Sequence, residues 1–436
     1  MTYQEALQYL DSFTNYEKKD GYDYNASFKL DRMRRLAGLL GNPQESVKSI
    51  HVAGSKGKGS TCAITHSILK AAGFKTGLYT SPHLSTFRER IRINDTLISE
   101  EEMAALIGPV RTAVDGMADD RPTFFEVCTA LAYLYFKEKR AEIAVYETGL
   151  GGRLDATNIL NPLVCAITPI SYEHTDRLGN TLSRIAGEKA GIIKDNSSCV
   201  SAPQEKEVLR VIEDVCRSKK ARLLLVGRDI LFEELASDGN REYFNILGLF
   251  GEYPRLETGL LGPHQIVNTS TAVGIVEILK SKGVPIYNDA IREGVACAKW
   301  EGRLEIIGRD PLTVLDGAQN RASARALADA VRKRLGNKRV VLVLGVSKDK
   351  DIKGITEELL PLAYSVVITK ARIAERAAEP QAIKDFITVK DKDVVMASSV
   401  EEALLKARLA AKQEDLILIT GSLFVVGEAR ELLTRS

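Results

Sequence analysis

Short apolar runs rich in β-branched residues recur along the chain, at 49–53, 143–146, 163–170, 312–315, 340–344, 365–369 and 416–420. The dominant unit is such a run, then a glycine-rich or polar turn, then a stretch with amphipathic helical spacing. Unbroken apolar strands alternating with helices imply a parallel sheet covered on both faces. In sheets of that kind, ligands bind where loops leave the carboxyl ends of strands. The texture changes between residues 223 and 257, where Asp229-Ile-Leu-Phe-Glu and Glu242-Tyr-Phe-Asn-Ile alternate more, with Gly239 and Gly248 between or beside them. A small antiparallel section is expected there, at the end of a first domain. A boundary is expected near residues 298–302, after a helix carrying Asn268 and before a fresh βαβ series. The pattern thus predicts an α/β protein with a larger domain over 1–298 and a smaller, Rossmann-like α/β domain over 299–436.

Composition narrows the class. The 436 residues carry 60 basic and 58 acidic side chains, a net charge of +2, so no global field recruits nucleic acid or an anionic membrane. No apolar run approaches the ~20 residues of a bilayer span. Residues 1–20 include Glu5, Asp11 and Glu17 and lack the apolar centre of a signal peptide, so a cytoplasmic location is expected. The six cysteines form no CxxC pair and are expected to be reduced packing residues.

Four strings carry chemistry. In His51-Val-Ala-Gly-Ser-Lys-Gly-Lys-Gly-Ser60 an apolar strand runs into Gly54, Gly57 and Gly59, and a helix is expected over 61–72. Such glycines let successive N–H groups face a phosphate, and the helix N-terminus adds its dipole. Lys58 can reach terminal phosphates and Ser60 can offer a hydroxyl to magnesium. The spacing GxxGKGS differs from the common GxxxxGK[ST], and a P-loop alone leaves kinase, GTPase and ligase open. In Tyr146-Glu-Thr-Gly-Leu-Gly-Gly-Arg-Leu-Asp-Ala-Thr-Asn158 a strand delivers Glu147 at its carboxyl end, where a carboxylate suits magnesium. A lone glutamate at a strand end is more often a solvated charge. Thr168-Pro-Ile-Ser-Tyr-Glu-His-Thr-Asp-Arg-Leu-Gly179 places His174 just after another strand, in reach of the same metal, whereas His51 and His66 read as structural. In Gly187-Glu-Lys-Ala-Gly-Ile-Ile-Lys194, spacing alone reads Lys189 as a surface charge.

The order GKGS, TSPHL with FRERIRI, FFE, ETGLGGRLDATN, EHTDRLGNT, EKAGIIK, GPHQIVN, GRLE, DGAQN, GVSKDKD and TGSLF resembles the folylpolyglutamate synthase and dihydrofolate synthase family of the Mur ligase superfamily, over residues 49–428. The resemblance implies a P-loop ATPase domain followed by a glutamate-ligase domain. It also implies ATP and Mg2+ as cofactors, and a folate or dihydropteroate and L-glutamate as substrates, in a protein expected to be a monomer. The pteridine carboxylate would be phosphorylated and the acyl phosphate attacked by the glutamate amine, releasing ADP and phosphate. By matching residue, Gly57, Lys58, Gly59 and Ser60 hold phosphates. Ser60, Ser81, Glu147 and His174 ligate magnesium. Lys189 matches a lysine that the superfamily carbamylates. Asn268, Arg303 and Asp316 contact the nucleotide. Thr123, Phe124, Phe125 and Glu126 with Leu154, Asp155 and Ala156 form the pterin site, where a phenylalanine can stack on the flat ring or simply pack in the core. Gln319, Arg376 and Ser422 lie near the incoming glutamate.

The chain departs from the family pattern at several points. DGAHN reads Asp316-Gly-Ala-Gln-Asn320, with Arg321 for the usual proline, and Asp-His reads Glu173-His174. Gln319 cannot titrate, though an amide can position a carboxylate or amine. Two rival readings are another Mur-type amino-acid ligase and a nucleotide-binding regulator without turnover.

Overall fold

The computed structural model describes residues 1–17, 22–117, 119–336, 338–372, 376–387 and 392–435, the last without its side chain. Eight strands form the main sheet: β1 (Lys48–Ala53), β2 (Thr76–Tyr79), β3 (Ile91–Ile93), β4 (Thr96–Leu97), β5 (Ile143–Glu147), β6 (Val164–Ile167), β7 (Ser198–Ser201) and β8 (Arg222–Leu225). Their order is β4-β3-β2-β5-β1-β6-β7-β8, parallel from β2 to β8. Alternate side chains of β5 show why its run is continuously apolar. Ile143 and Val145 pack with the helices Lys58–Ala71 and Pro263–Ser281, while Ala144 and Tyr146 pack with the helix Phe124–Glu138 on the other face. Both faces are covered, as parallel pairing requires.

A second sheet is antiparallel, with β9 (Leu231–Ser237), β10 (Glu242–Leu247) and β11 (Glu252–Thr258) in the order β11-β10-β9. The expected antiparallel section therefore exists but starts later than residue 223. Residues 222–225 add a last parallel strand to the main sheet, because Leu224 and Leu225 bury against it. The third sheet comprises β12 (Glu305–Arg309), β13 (Leu312–Leu315), β14 (Val340–Leu344), β15 (Ala363–Ile368), β16 (Asp393–Met396) and β17 (Leu416–Thr420). Its order is β12-β13-β17-β14-β15-β16, parallel except for β12.

Five cysteines are buried and Cys297 is exposed, all with free thiols. No helix among the described residues is long and apolar enough to cross a membrane.

Candidate active site

β1 lies at the centre of the main sheet, between β5 and β6, so three adjacent strands release their loops at one edge. After β1 the chain turns at Gly54, where a Cβ would lie 1.9 Å from Thr168 Oγ1. Gly57 adopts φ +79° with Asn268 packed against it, a Cβ there falling 2.2 Å from Asn268 Oδ1. Only glycine fits either place. The helix Lys58–Ala71 begins directly after Gly57, three residues earlier than the sequence suggests, so Lys58, Gly59 and Ser60 occupy its first turn. That turn leaves N–H groups without helical partners at the end of the dipole that favours anions.

Glu147 is the last residue of β5 and is buried, not solvated. Its carboxylate lies 3.9 Å from Lys58 Nζ and accepts a 3.4 Å hydrogen bond from Ser81 N. Burial raises its pKa, with Lys58 and the Ser81 N–H opposing. A buried carboxylate so lightly held is suited to a cation. Among the described residues no cluster of three or more His, Cys, Asp or Glu side chains is built to hold a metal. Glu147 supplies one buried carboxylate, and magnesium takes one or two carboxylates and completes its shell with phosphate and water oxygens, so the residue present fits that cation.

Beyond β6 the chain reaches Glu173 and His174. His174 has φ +45°, and burial lowers its pKa to about 4, so the imidazole is neutral and can ligate a metal. Lys189, on the helix Leu182–Ala190, is 1% exposed, contrary to a surface charge. Its Nζ donates to Gly54 O at 2.8 Å and to Glu173 Oε1 at 2.6 Å. Burial lowers the lysine pKa, and Glu173 works against that shift.

A cavity of about 500 Å³ opens beside these groups. Its walls come from the N-terminal segment, the main sheet's loops and the second domain. Thr123, Phe124, Phe125, Ser81, His174, Gln319 and Arg376 line it, although Phe124 also belongs to the core. A smaller pocket lined by Gly59, Glu147, Trp300 and Arg303 shares the Ser81–Pro82–His83 wall and Leu423 with it. Arg303 lies over Gly317, and Asp316 accepts hydrogen bonds from Leu304 N and Ala318 N, both at 2.9 Å.

Other expected residues do not line the cavity. Glu126 pairs with buried Arg32 at 2.8 Å and caps its own helix through Thr123 N. Asp155 is fully buried, and its two oxygens are engaged by Gly149 N, Leu150 N, Thr157 N and Thr157 Oγ1 at 2.5–3.0 Å. It shapes the Gly149–Leu150 wall from behind, with Leu154 and Ala156 packed in the flanking cores. Ser422 Oγ accepts from Phe424 N at the start of the last helix. Conversely, Tyr16, Glu17, Tyr22, Phe28, Arg177 and Lys350 line the cavity without having been singled out. Lys350 sits in GVSKDKD and could have been picked from that string. The N-terminal aromatics follow no period that marks them.

Residues 52–276 match the Mur ligase middle domain and residues 302–423 the Mur ligase glutamate ligase domain. The dihydrofolate synthase/folylpolyglutamate synthase of Bacillus subtilis is 33% identical, over 99% of both chains. The enzyme of the same name from Escherichia coli is 31% identical, over 93% of this chain and 91% of its own. Among solved structures, Mycobacterium tuberculosis folylpolyglutamate synthase complexed with ADP superimposes with a TM-score of 0.90 at 31% identity, over 100% of this chain and 98% of the other. The E. coli FolC structure in complex with DHPP and ADP gives 0.88 at 30%, over 100% and 99%. The three-strand phosphate-loop edge, the glycine-shaped turns and the second α/β domain are thus those of a known lineage, and the chain belongs to the folylpolyglutamate synthase/dihydrofolate synthase family of Mur ligases.

Proposed function

We propose that this protein is an ATP-dependent ligase that joins L-glutamate to a folate-type carboxylate through an acyl phosphate. The observation that carries the reading is a pair of pockets with one shared wall. One is edged by Gly59 and Glu147; the other is an aromatic cavity bounded by both domains. ATP bound over the first turn of Lys58–Ala71 would place its phosphates among backbone N–H groups, with Lys58 and Arg303 neutralising charge. Asn268 backs the loop, and Asp316 fixes the hinge that presents Arg303. Glu147, with His174, Ser60 and Ser81, would hold magnesium, which would supply charge neutralisation at the transferring phosphoryl group. Phe125, with Phe124 behind it, offers a flat face to a pterin ring, and Thr123 stands at the same helix start. Gln319, Arg376 and Lys350 face the cavity from the second domain, where the carboxylates of an incoming glutamate need cationic and amide partners. Catalysis then rests on positioning and charge neutralisation. The division at 298/299 is supported by the break between the helix that ends at Cys297 and β12, which opens the third sheet.

A coupled assay of ADP release across pteroates, folates and amino acids tests this. The expected result is ADP and phosphate, formed only when a pteridine carboxylate and glutamate are both present. AMP and pyrophosphate would overturn the mechanism, and saturation by a different amino acid would overturn the choice of substrate.

A further inference from the structure

The chain has one tryptophan, and it stands where the two domains meet. Trp300 follows the helix Asn288–Cys297, which packs so closely on the helix Lys58–Ala71 that a Cβ on Gly294 would fall 2.3 Å from Ile68 Cα. The segment that leaves the first domain is thus fixed along the helix that opens at the phosphate loop. Trp300 carries that hold up to the loop itself. A Cβ on Gly59 would lie 2.8–2.9 Å from the indole atoms Cζ2, Nε1 and Cε2, so only glycine at this position leaves room for the ring. The ring is half-buried, packs against the core that includes Cys62 and Ile68, and has the Arg92 guanidinium 5.7 Å from its centroid.

From Gly302 onward the chain belongs to the second domain. Gly302 N donates to Glu305 at 2.8 Å, its carbonyl accepts from Gly317 N at 2.9 Å, and Leu304 is buried in the second domain's core. Arg303 lies over Gly317, and its Nη1 donates to Gly302 O at 3.3 Å. These contacts would all travel with the second domain. The contact that ties the crossing to the phosphate loop is the indole on Gly59, three residues before Arg303. Both side chains edge the same small pocket with Glu147.

We propose that Trp300 is a positioning residue: seated on Gly59, it fixes the first-domain end of the crossing to the phosphate loop and so sets the reach of Arg303 to the nucleotide phosphates. The proposal rests on reading this loop as the ATP site. An indole suits the task because it is wide and flat and has only two rotatable side-chain bonds, so little freedom is lost in holding it. Without it, Arg303 would follow the second domain, and its charge would no longer meet the phosphates in a fixed geometry.

Two measurements test this. The first is ADP binding by calorimetry, with magnesium, to wild type, Trp300→Leu, Arg303→Ala and the double variant, each checked for folding by circular dichroism. Trp300→Leu should bind roughly tenfold more weakly, the scale of one hydrogen bond to a charged group. In the Arg303→Ala background the same substitution should change affinity by less than about twofold, because the residue it acts through is gone. Trp300→Phe keeps a flat ring and should recover part of the loss. A structural role alone would lower affinity equally in both backgrounds; that result, or unaltered affinity in a folded Trp300→Leu, would overturn the proposal. The second measurement is the intrinsic fluorescence of wild type and Gly59→Ala without nucleotide, where Trp300 is the only tryptophan emitting. A methyl group on Gly59 must displace the ring, so the emission maximum should shift, and identical spectra would overturn the seat on Gly59. This second readout holds even where Trp300→Leu fails to fold. Wild-type protein that binds no ADP would overturn the functional reading together with this proposal, whereas ADP binding indifferent to Trp300 would overturn the proposal alone.

Discussion

Glu147 ends its strand buried, with Lys58 as its nearest cation and one long hydrogen bond from Ser81 N. Substituting it removes a buried carboxylate beside the first turn of Lys58–Ala71, the group proposed to hold magnesium. Glu147→Ala should lose several kcal/mol of transition-state stabilisation, on the order of a hundredfold or more in kcat at saturating magnesium. Near-normal turnover in that variant would make Glu147 an ordinary buried acid. The sequence marks Glu147 through its glycine-rich context, and Lys58 through a local string, because glycines and a strand end are short-range signals. Lys189 is different. Nothing within a few residues of it reports that its helix turns it inward onto Gly54, 135 positions away. Its role could be suspected only from family resemblance. Glu173 was visible as a departure, yet its contact with Lys189 depends on how two elements pack. Asp155 shows the opposite case. A polar residue in a conspicuous string looked like a substrate contact, and its oxygens are spent on its own loop.

Elements were more legible than contacts. The parallel strands were readable because burial on both faces leaves unbroken apolar runs, and the helices between them because their apolar face repeats. What period alone could not separate was β8 from the antiparallel section that follows, since both are short and apolar. β3 and β4 also escaped, being three and two residues long at the sheet's edge. The antiparallel section is tied down by a side chain that no pattern announces. Glu277, on the helix Pro263–Ser281, is fully buried and accepts from Leu249 N at 2.6 Å, Phe250 N at 3.1 Å and Tyr253 Oη at 3.0 Å. Its carboxylate closes the turn between β10 and β11. Glu277→Gln keeps the shape but turns an amide donor toward backbone donors, and should destabilise the fold by about 1–3 kcal/mol. Urea unfolding should show the midpoint falling with an unchanged slope, while KM for ATP stays put. A midpoint equal to wild type would mean the turn does not depend on Glu277.

At the scale of the whole molecule, the cavity exists because the N-terminal segment crosses between domains. Glu17 grips Arg90 of the first domain with both oxygens, at 2.6 and 2.8 Å, and Arg90 is buried with His83 as a further partner. The backbone carbonyl of the same Glu17 accepts from Arg376 of the second domain, whose other terminal nitrogen donates to Asp349 at 2.9 Å. Arg376, proposed to meet the incoming glutamate, therefore has a second task. It ties the second domain to a strap that also walls the aromatic end of the cavity, where Tyr16, Tyr22 and Phe28 stand. The two roles predict different kinetics for Arg376→Ala. A residue that only met the glutamate would raise KM for glutamate alone. A residue that also holds the strap should raise KM for glutamate and for the pteridine together, each by roughly tenfold, the scale of one charged hydrogen bond. ADP affinity should change little, because Gly57, Lys58 and Glu147 lie in the first domain and Arg303 is set by the contact of Leu304 N with Asp316, which does not involve Arg376. Arg376→Lys keeps the charge but cannot reach two acceptors with a planar fork, so it should restore glutamate binding better than pteridine binding. A pteridine KM unchanged in both variants would confine Arg376 to the amino-acid site and show that the strap holds without it.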